Sequence, residues 1–222
     1  MFSAELAFKG LANLIYPLYC QVCKSKLDPA NTRYLCENCW SKIKKSRAVP
    51  ASGHNYFFHS LWSIGRYQGV LKDCIRLFKY NKKSFMAKPL GELMNNFIAG
   101  HLDRRAIGLI VPVPLHSSKL RERGFNQSLE LAVQISKRSS LPLSSSSLYR
   151  KRPTISQTEL SKQERLINVK AAFAVKNSLV LKKQVLLVDD VFTSGATANE
   201  CSKTLLEAGA CAVSVLTLAR GN

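Results

Sequence analysis

Residues 185–197, VLLVDDVFTSGAT, constrain the fold more than any other stretch of the chain. They begin with four apolar residues in a row, which is typical of a strand buried on both faces of a parallel sheet. Asp189 and Asp190 follow at once, and small hydroxylated residues around Gly195 come next. A helical stretch at 198–207 and a second apolar run at 212–218 complete the pattern. The order predicts an α/β fold, a parallel sheet flanked by helices.

The turn between this strand and its helix indicates a ligand. Gly195 allows the backbone to approach a ligand closely, and the N–H groups at a helix start favour a phosphate. The hydroxyl groups of Thr193, Ser194 and Thr197 are further donors. Because the acidic pair would repel a bare phosphate, we expect it to face a sugar diol or a bound Mg²⁺. The ligand indicated is a sugar phosphate with free hydroxyls, and the alternative is a strand–turn–helix that binds nothing.

The apolar run, the acidic pair and Thr-Ser-Gly-Ala-Thr resemble the phosphoribosyl pyrophosphate (PRPP) loop of the type I phosphoribosyltransferases. No Gly-Lys-Ser/Thr ends the loop, so a P-loop is excluded. The resemblance implies the type I phosphoribosyltransferase fold, with Asp189 and Asp190 as catalytic residues that hold the ribose hydroxyls, and with Mg²⁺ bound together with PRPP. The PRPP-binding residues that it implies are Asp189, Asp190, Val191, Phe192, Thr193, Ser194, Gly195, Ala196 and Thr197.

Four of the seven cysteines form two pairs, Cys20 with Cys23 and Cys36 with Cys39, each with two intervening residues. Two such knuckles can place four thiolates around one Zn²⁺, and the metal then replaces a hydrophobic core in a small segment. Since cysteine takes all four positions, we predict a structural zinc site. Disulfides are the alternative, but they fit poorly with a cytoplasmic chain. The other three, at 74, 201 and 211, are predicted to be buried core thiols.

Charge and length set the class of partner and the domain organisation. Lysine and arginine number 33 against 14 acidic residues, and this net charge of +19 favours a polyphosphate substrate, nucleic acid or an anionic membrane surface. Residues 6–19 are apolar but contain Lys9 and are too short to span a bilayer. We expect a helix packed on a cytoplasmic protein, and a peripheral membrane contact stays open. The domains predicted are an N-terminal helix and zinc-binding module with its connector at 1–55 and a phosphoribosyltransferase-like domain at 56–222.

Apolar spacing predicts the remaining elements of the second domain. In chain order they are a strand at 61–67, helices at 69–80 and 85–101, a strand at 107–113, a helix ending near 137 and an edge strand at 143–149.

A second anion site is predicted after the strand at 107–113, which ends at Pro112 and Pro114 because proline cannot donate to a sheet ladder. A basic loop follows, with a glycine at the expected start of the next helix. By resemblance, this loop lies where type I phosphoribosyltransferases bind pyrophosphate. The pyrophosphate-binding residues that the resemblance implies are Arg121, Arg123 and Gly124.

The basic and polar segment 150–168 lacks an apolar stripe. By resemblance it corresponds to the flexible loop that closes over the reacting centre in this family and excludes water. The flexible-loop residues implied are Arg152, Gln157 and Arg165. A plain solvated loop is the alternative.

Further motifs narrow the resemblance. Pro-Val-Pro-Leu-His, Arg-Gly-Phe-Asn-Gln, the four cysteines, Arg66-Tyr67 with Lys79-Tyr80, and the closing Leu-Ala-Arg together resemble the ComF family over almost the full length. That family joins a zinc finger to a type I phosphoribosyltransferase fold, is linked to DNA uptake in natural transformation and is described as amidophosphoribosyltransferase-like. Ser194 departs from the family pattern, in which threonine is common.

The resemblance implies Mg²⁺-dependent transfer of a phosphoribosyl group to an unidentified nitrogen acceptor in nucleoside metabolism, with release of pyrophosphate. One alternative is a non-catalytic competence protein that binds single-stranded DNA and keeps a regulatory or vestigial PRPP site. Another is a PRPP sensor that does not bind DNA. Cations among aromatic residues suit a single strand, although they suit packing of the knuckles equally well. These residues are Arg33, Tyr34, Trp40, Lys42, Lys44 and Lys45.

Overall fold

The computed structural model describes residues 18–44, 56–80, 83–152 and 162–221, without the side chains of 162, 163, 165 and 166. Six strands occur among these residues, in two sheets. They are β1 (Ser60–Arg66), β2 (Leu109–Pro112), β3 (Leu148–Arg150), β4 (Phe173–Val175), β5 (Gln184–Phe192) and β6 (Ala212–Arg220). The main sheet has the order β1-β6-β5-β2 with every pair parallel, and β3 pairs with β4 in an antiparallel sheet.

Helices flank the main sheet. They are α1 (Glu37–Ser41), α2 (Gly69–Tyr80), α3 (Ala87–His101), α4 (Ser117–Arg123), α5 (Gln127–Ser139), α6 (Lys162–Val169) and α7 (Ala196–Glu207). The helix predicted at 69–80 is confirmed at both ends, and the one predicted at 85–101 begins with a short 3-10 turn before α3. In the part of the chain that is described, no helix has the length and apolar character needed to cross a bilayer.

The main sheet separates two hydrophobic layers, because successive side chains of a strand point to opposite faces. Leu186 and Val188 of β5 pack in the layer that includes buried residues of α2, α3 and α5. Val185 and Leu187 pack in the layer that includes residues of α7, β3 and β4. The predicted fold, a parallel sheet flanked by helices with a four-cysteine module, is confirmed.

Three boundaries differ from the prediction. β5 continues to Phe192, so the acidic pair lies inside the strand and not after it. The strand at 107–113 is shorter, and the basic stretch that follows it is helix α4. No edge strand covers 143–149: Leu143 forms one parallel bridge with Ile110, and Leu148–Arg150 pairs with β4. Between these two places, the hydroxyl groups of Ser144 and Ser147 hydrogen-bond to each other.

The four-cysteine module packs directly on the sheet domain. Cys20 and Cys39 belong to the same buried cluster as Cys74 and Phe78 of α2. Polar contacts support this packing: the Arg33 guanidinium lies 3.0 Å from a carboxylate oxygen of Glu92 in α3, and Lys83 Nζ donates to Gln21 Oε1 at 2.6 Å. The module therefore shares a core with one face of the sheet, and the division at residue 55 stays a prediction.

Candidate functional site

Two elements outside β5 hold the acidic pair. Lys79, at the end of α2, places Nζ 2.9 Å from Asp190 Oδ2, and the two side chains are only 16% and 10% exposed. Asp189 Oδ1 accepts a hydrogen bond from Ser128 Oγ of α5 at 2.8 Å and another from the Asp190 backbone N–H at 2.9 Å. Sequence reasoning assigned no site role to Lys79 or Ser128. The signals that were available are a lysine at the end of an amphipathic helix and a serine in the first turn of another.

The acidic pair is electrostatically strained. Burial raises the pKa of Asp189 to about 7, and the neighbouring Asp190 carboxylate adds to this rise, while hydrogen bonds from Ser128 and the Asp190 N–H and the charge of Lys79 oppose it. For Lys79, burial opposes the charged form, but attraction to Asp190 outweighs it and raises the pKa. Asp189 can therefore gain or lose a proton near neutral pH while Lys79 stays charged.

Asp189→Asn is expected to make the protein more stable at neutral pH. The pKa of Asp189 in the folded protein lies above the ordinary 3.8, so protonation of Asp189 stabilises the fold. This stabilisation is complete below about pH 4 and is lost as the pH rises through about 7. Denaturant unfolding should show a gain on the order of 1 kcal/mol for the variant at pH 8 and almost none at pH 4. An equal gain in stability at pH 8 and at pH 4 would contradict a raised pKa of Asp189.

The loop after β5 forms a cavity that starts at the acidic pair. Its lining comprises Asp189 and every residue from Val191 to Ala198. Gly195 has φ +78, and a Cβ added there would lie 2.7 Å from Phe192 Cζ, so glycine is needed at this position. Phe192 is buried and packs edge-on against Phe58 at 6.1 Å, which anchors the loop. The first residues of α7, at 196–198, line the same cavity, and backbone N–H groups at the start of a helix favour a phosphate.

The predicted pyrophosphate loop has a different local structure. Ser117–Arg123 is helix α4, because the His116 side chain caps it by accepting from the Ser118 N–H. Gly124, with φ +81, ends α4 and does not begin the next helix. Asn126 has that role, since its side chain accepts from the first N–H groups of α5. Arg121 and Arg123 are two residues apart on a helix, about 200° around its axis, and Arg121 is exposed.

Arg123 of α4 lies near residues that surround the acidic pair. Its guanidinium lies 5.5 Å from the centre of the Tyr80 ring and donates to Gln127 Oε1 at 3.1 Å. Its positive charge also acts on Lys79. Arg123 Nε and Gln127 Nε2 are buried and have no hydrogen-bond partner among the described residues. Buried donors of this kind normally have a partner, so these two groups are suited to the oxygen atoms of an anionic ligand.

The predicted flexible-loop residues lie mostly beyond the described part of the chain. Arg152 is placed, and its guanidinium donates to the Lys170 carbonyl at 2.5 Å. Gln157 and the Arg165 side chain lie outside the described residues. The end of the segment is helix α6, Lys162–Val169, and not the loop predicted to continue to 168.

The four predicted zinc ligands converge. Their Sγ atoms all lie within 4.8 Å of one another, and those of Cys23 and Cys36 are 3.5 Å apart. A tetrahedral zinc site with Zn–S bonds of about 2.3 Å needs separations of about 3.8 Å, so the cluster could hold a metal ion. Cys36 also accepts a hydrogen bond from the Cys39 N–H at 3.4 Å, which helps to stabilise a thiolate. A hydrogen bond with Ser25 is the main reason why the pKa of Cys23 falls to about 6.

The remaining cysteines only partly follow the prediction. Cys74 and Cys201 are fully buried, whereas Cys211 is exposed at the start of β6.

The cations and aromatic residues of the module contact one another. The Arg33 guanidinium lies 4.7 Å from the Trp40 ring and pairs with two glutamates, and Tyr34 packs against Phe85 at 4.5 Å. These contacts match the packing interpretation of the pattern. Lys45 lies outside the described residues.

Comparison with known proteins identifies relatives over most of the chain. Competence protein F of Haemophilus influenzae is 31% identical, and the match covers 91% of this chain and 84% of that protein. Competence protein ComFC of Bacillus subtilis is 26% identical, with 93% and 96% covered. DNA utilization protein YhgH of Escherichia coli is 34% identical, with 72% and 71% covered. No protein-family model matches the chain.

Solved structures with a similar fold are more distant. Glutamine PRPP amidotransferase from Bacillus subtilis has a TM-score of 0.46 at 19% identity, and the match covers 65% of this chain and 30% of that one. The allosteric regulatory enzyme of purine biosynthesis has a TM-score of 0.42 at 20% identity, covering 60% and 26%. The chain thus spans about a third or less of either enzyme, and these similarities identify no activity. The similarity to competence protein F, in contrast, extends over most of both chains, and the chain belongs to the ComF family.

Proposed function

We propose that the chain binds PRPP with Mg²⁺ and transfers its phosphoribosyl group to a nitrogen acceptor, in a process that serves DNA uptake. The observation that carries this proposal is the cavity formed by Asp189 and residues 191–198. It joins the carboxylate of Asp189, which suits a sugar hydroxyl, to a helix start, which suits a phosphate, and Asp190 follows Asp189 directly in β5. A sugar phosphate carries hydroxyl groups and a phosphate that match these two features.

We expect PRPP to bind in one orientation. The ribose hydroxyls would bind the acidic pair, and the 5-phosphate would bind residues 193–197 at the start of α7. The pyrophosphate would then lie toward Arg123 and Gly124, where the unpartnered donors of Arg123 and Gln127 support an anion. Arg121 would act on it only at longer range. Arg152, Gln157 and Arg165 are proposed to belong to a segment that covers the bound substrate.

The reaction needs positioned charges and no covalent nucleophile. The bond between ribose C1 and the pyrophosphate oxygen breaks, a bond from C1 to the acceptor nitrogen forms, and the acceptor loses a proton. Positive charge develops on the ribose ring, where the carboxylates of Asp189 and Asp190 stabilise it. Mg²⁺ bound with PRPP would supply further charge neutralisation on the pyrophosphate. Arg123 adds a cation on the leaving-group side.

Gly195→Ala tests the phosphate loop. The added methyl group would clash with the Phe192 ring. Alanine would also have to adopt φ +78, which is unfavourable for a residue with a side chain. We expect PRPP affinity to fall by about 30-fold or more and stability to fall by about 1–3 kcal/mol. Calorimetric titration with PRPP and Mg²⁺ measures the first and denaturant unfolding the second.

Gly100→Ala is the matched control, because a Cβ there has no atom within 4 Å and the position lies in helix α3. It should keep PRPP affinity and leave stability unchanged or raise it by up to about 1 kcal/mol, because alanine favours a helix more than glycine does. Equal affinity in the Gly195 variant and the wild type would remove the loop from the proposed site.

A second function is favoured by the relatives' names and by the net charge of +19. It is binding of single-stranded DNA by a competence protein that keeps the PRPP site for regulation or as a vestige. Affinity for an oligonucleotide that falls steeply with salt would support this function. Release of pyrophosphate from PRPP would support the transferase, and the two activities are compatible.

A further inference from the structure

Lys79 is a half-buried cation of the candidate site. Its side chain is 16% exposed and its ammonium lies 2.9 Å from Asp190 Oδ2. The charged groups that face it are Asp190 and Asp189 from β5 and Arg123 from α4. Arg150 of β3 is also near the pair, because the charge of Asp189 acts on its guanidinium. Of these cations, Lys79 lies at ion-pair distance from the acidic pair, through its contact with Asp190.

Two adjacent carboxylates, one buried and one half-buried, do not both remain ionised without compensation. Each is costly to remove from water, and each repels the other. A cation at ion-pair distance offsets both costs and fixes the orientation of the carboxylate that it contacts. Asp190 uses Oδ2 for this contact, which leaves its Oδ1 for another partner. Asp189 is oriented independently by Ser128.

We propose that Lys79 is a positioning residue for ribose recognition: its ammonium offsets the negative charge of the acidic pair and directs the second carboxylate oxygen of Asp190 toward the sugar hydroxyls. This proposal rests on the proposed function, since it assigns the ribose of PRPP to that pair. Lys79 itself does not touch the reacting carbon. Its effect on binding is therefore expected to depend on pH, unlike the effect of a residue that only fills space.

The test compares PRPP affinity in Lys79→Met and Lys79→Arg over a range of pH. We expect Lys79→Met to lose about 30-fold at neutral pH and to recover part of the affinity in alkaline buffer, because the uncompensated pair takes up a proton that must leave before ribose binds. Lys79→Arg keeps the charge and should lose less, with the wild-type pH profile. Lys72→Met, an exposed lysine on the same helix, is the matched control and should change nothing. A Lys79→Met variant with wild-type affinity throughout would overturn the proposal.

A measurement without ligand separates this proposal from the proposed function. Denaturant unfolding of the zinc-loaded protein should show a larger loss for Lys79→Met at about pH 8 than at about pH 5.5, where a proton replaces the ammonium. The double variant Lys79→Met/Asp190→Asn should recover most of that loss, because both charges are then gone. A loss that is independent of pH and not recovered overturns the role of Lys79. If the two variants show this pattern but the wild-type protein does not bind PRPP, the proposed function is contradicted, while the pairing role of Lys79 stands.

Discussion

Replacing Asp189 and Asp190 together with asparagine is expected to lower PRPP affinity by at least about 100-fold. Each carboxylate is proposed to accept a charge-assisted hydrogen bond from a ribose hydroxyl, and each such bond contributes about 1.5–3 kcal/mol. An asparagine amide keeps the size of the side chain but loses the charge. Calorimetric titration with PRPP and Mg²⁺ measures the effect.

Two controls make this result interpretable. Asp189→Asn alone leaves the pair of Lys79 with Asp190 in place, so it separates loss of a ligand group from loss of that ion pair. Asp73→Asn removes an exposed carboxylate of α2 and should leave the affinity unchanged. Zinc content should be the same in every variant. A double variant that binds PRPP as tightly as the wild type would show that the acidic pair is not the ribose site.

Cys36→Ser is expected to lower metal content and stability together. Four sulfurs within 4.8 Å of one another can share one Zn²⁺, and a module of this size depends on its metal for a fixed structure. We expect a loss of about 3 kcal/mol or more in the free energy of unfolding. Elemental analysis and denaturant unfolding measure the two effects. A variant with full stability and full metal content would rule out the zinc interpretation.

The same change should also weaken PRPP binding. Cys20 packs against α2 near Cys74, and Phe78 and Lys79 lie about one turn further along this helix. Loss of the metal therefore disturbs the helix that holds Asp190. Cys211→Ser is the control, because that cysteine is exposed and remote from the cluster in sequence. Unchanged PRPP affinity in a metal-free protein would show that the module and the sugar site are independent.

The features that were predicted correctly from sequence are local. The apolar run of β5 is at most 2% exposed at each residue, as a doubly covered strand should be. The spacing of the cysteines was enough to predict a cluster whose sulfurs meet. Helix α2 follows its apolar spacing from the first residue to the last. In each case the signal lies within one stretch of chain, so periodicity and spacing are sufficient.

The features that were missed depend on contacts between distant parts of the chain. Ser128 meets Asp189 across 61 residues, and nothing near either residue in the sequence indicates the contact. Lys79-Tyr80 contributes to the family resemblance, but nothing near Lys79 in the sequence indicates that the fold places it beside Asp190. The capping by His116 turned an expected loop into α4 and separated Arg121 from Arg123 around its axis. Side-chain caps of this kind decide local structure but leave a weak pattern.

Calorimetric titration of the zinc-loaded protein with PRPP and Mg²⁺, repeated with a single-stranded oligonucleotide present, measures whether the acidic pair and residues 193–197 form a PRPP site. We expect saturable binding of PRPP at one site, which is lost when Asp189 and Asp190 are both replaced by asparagine. A change in PRPP affinity with the oligonucleotide would show that the two ligands act on each other. A folded, zinc-loaded protein that does not bind PRPP would contradict the account and leave the basic surface as the functional part of the molecule.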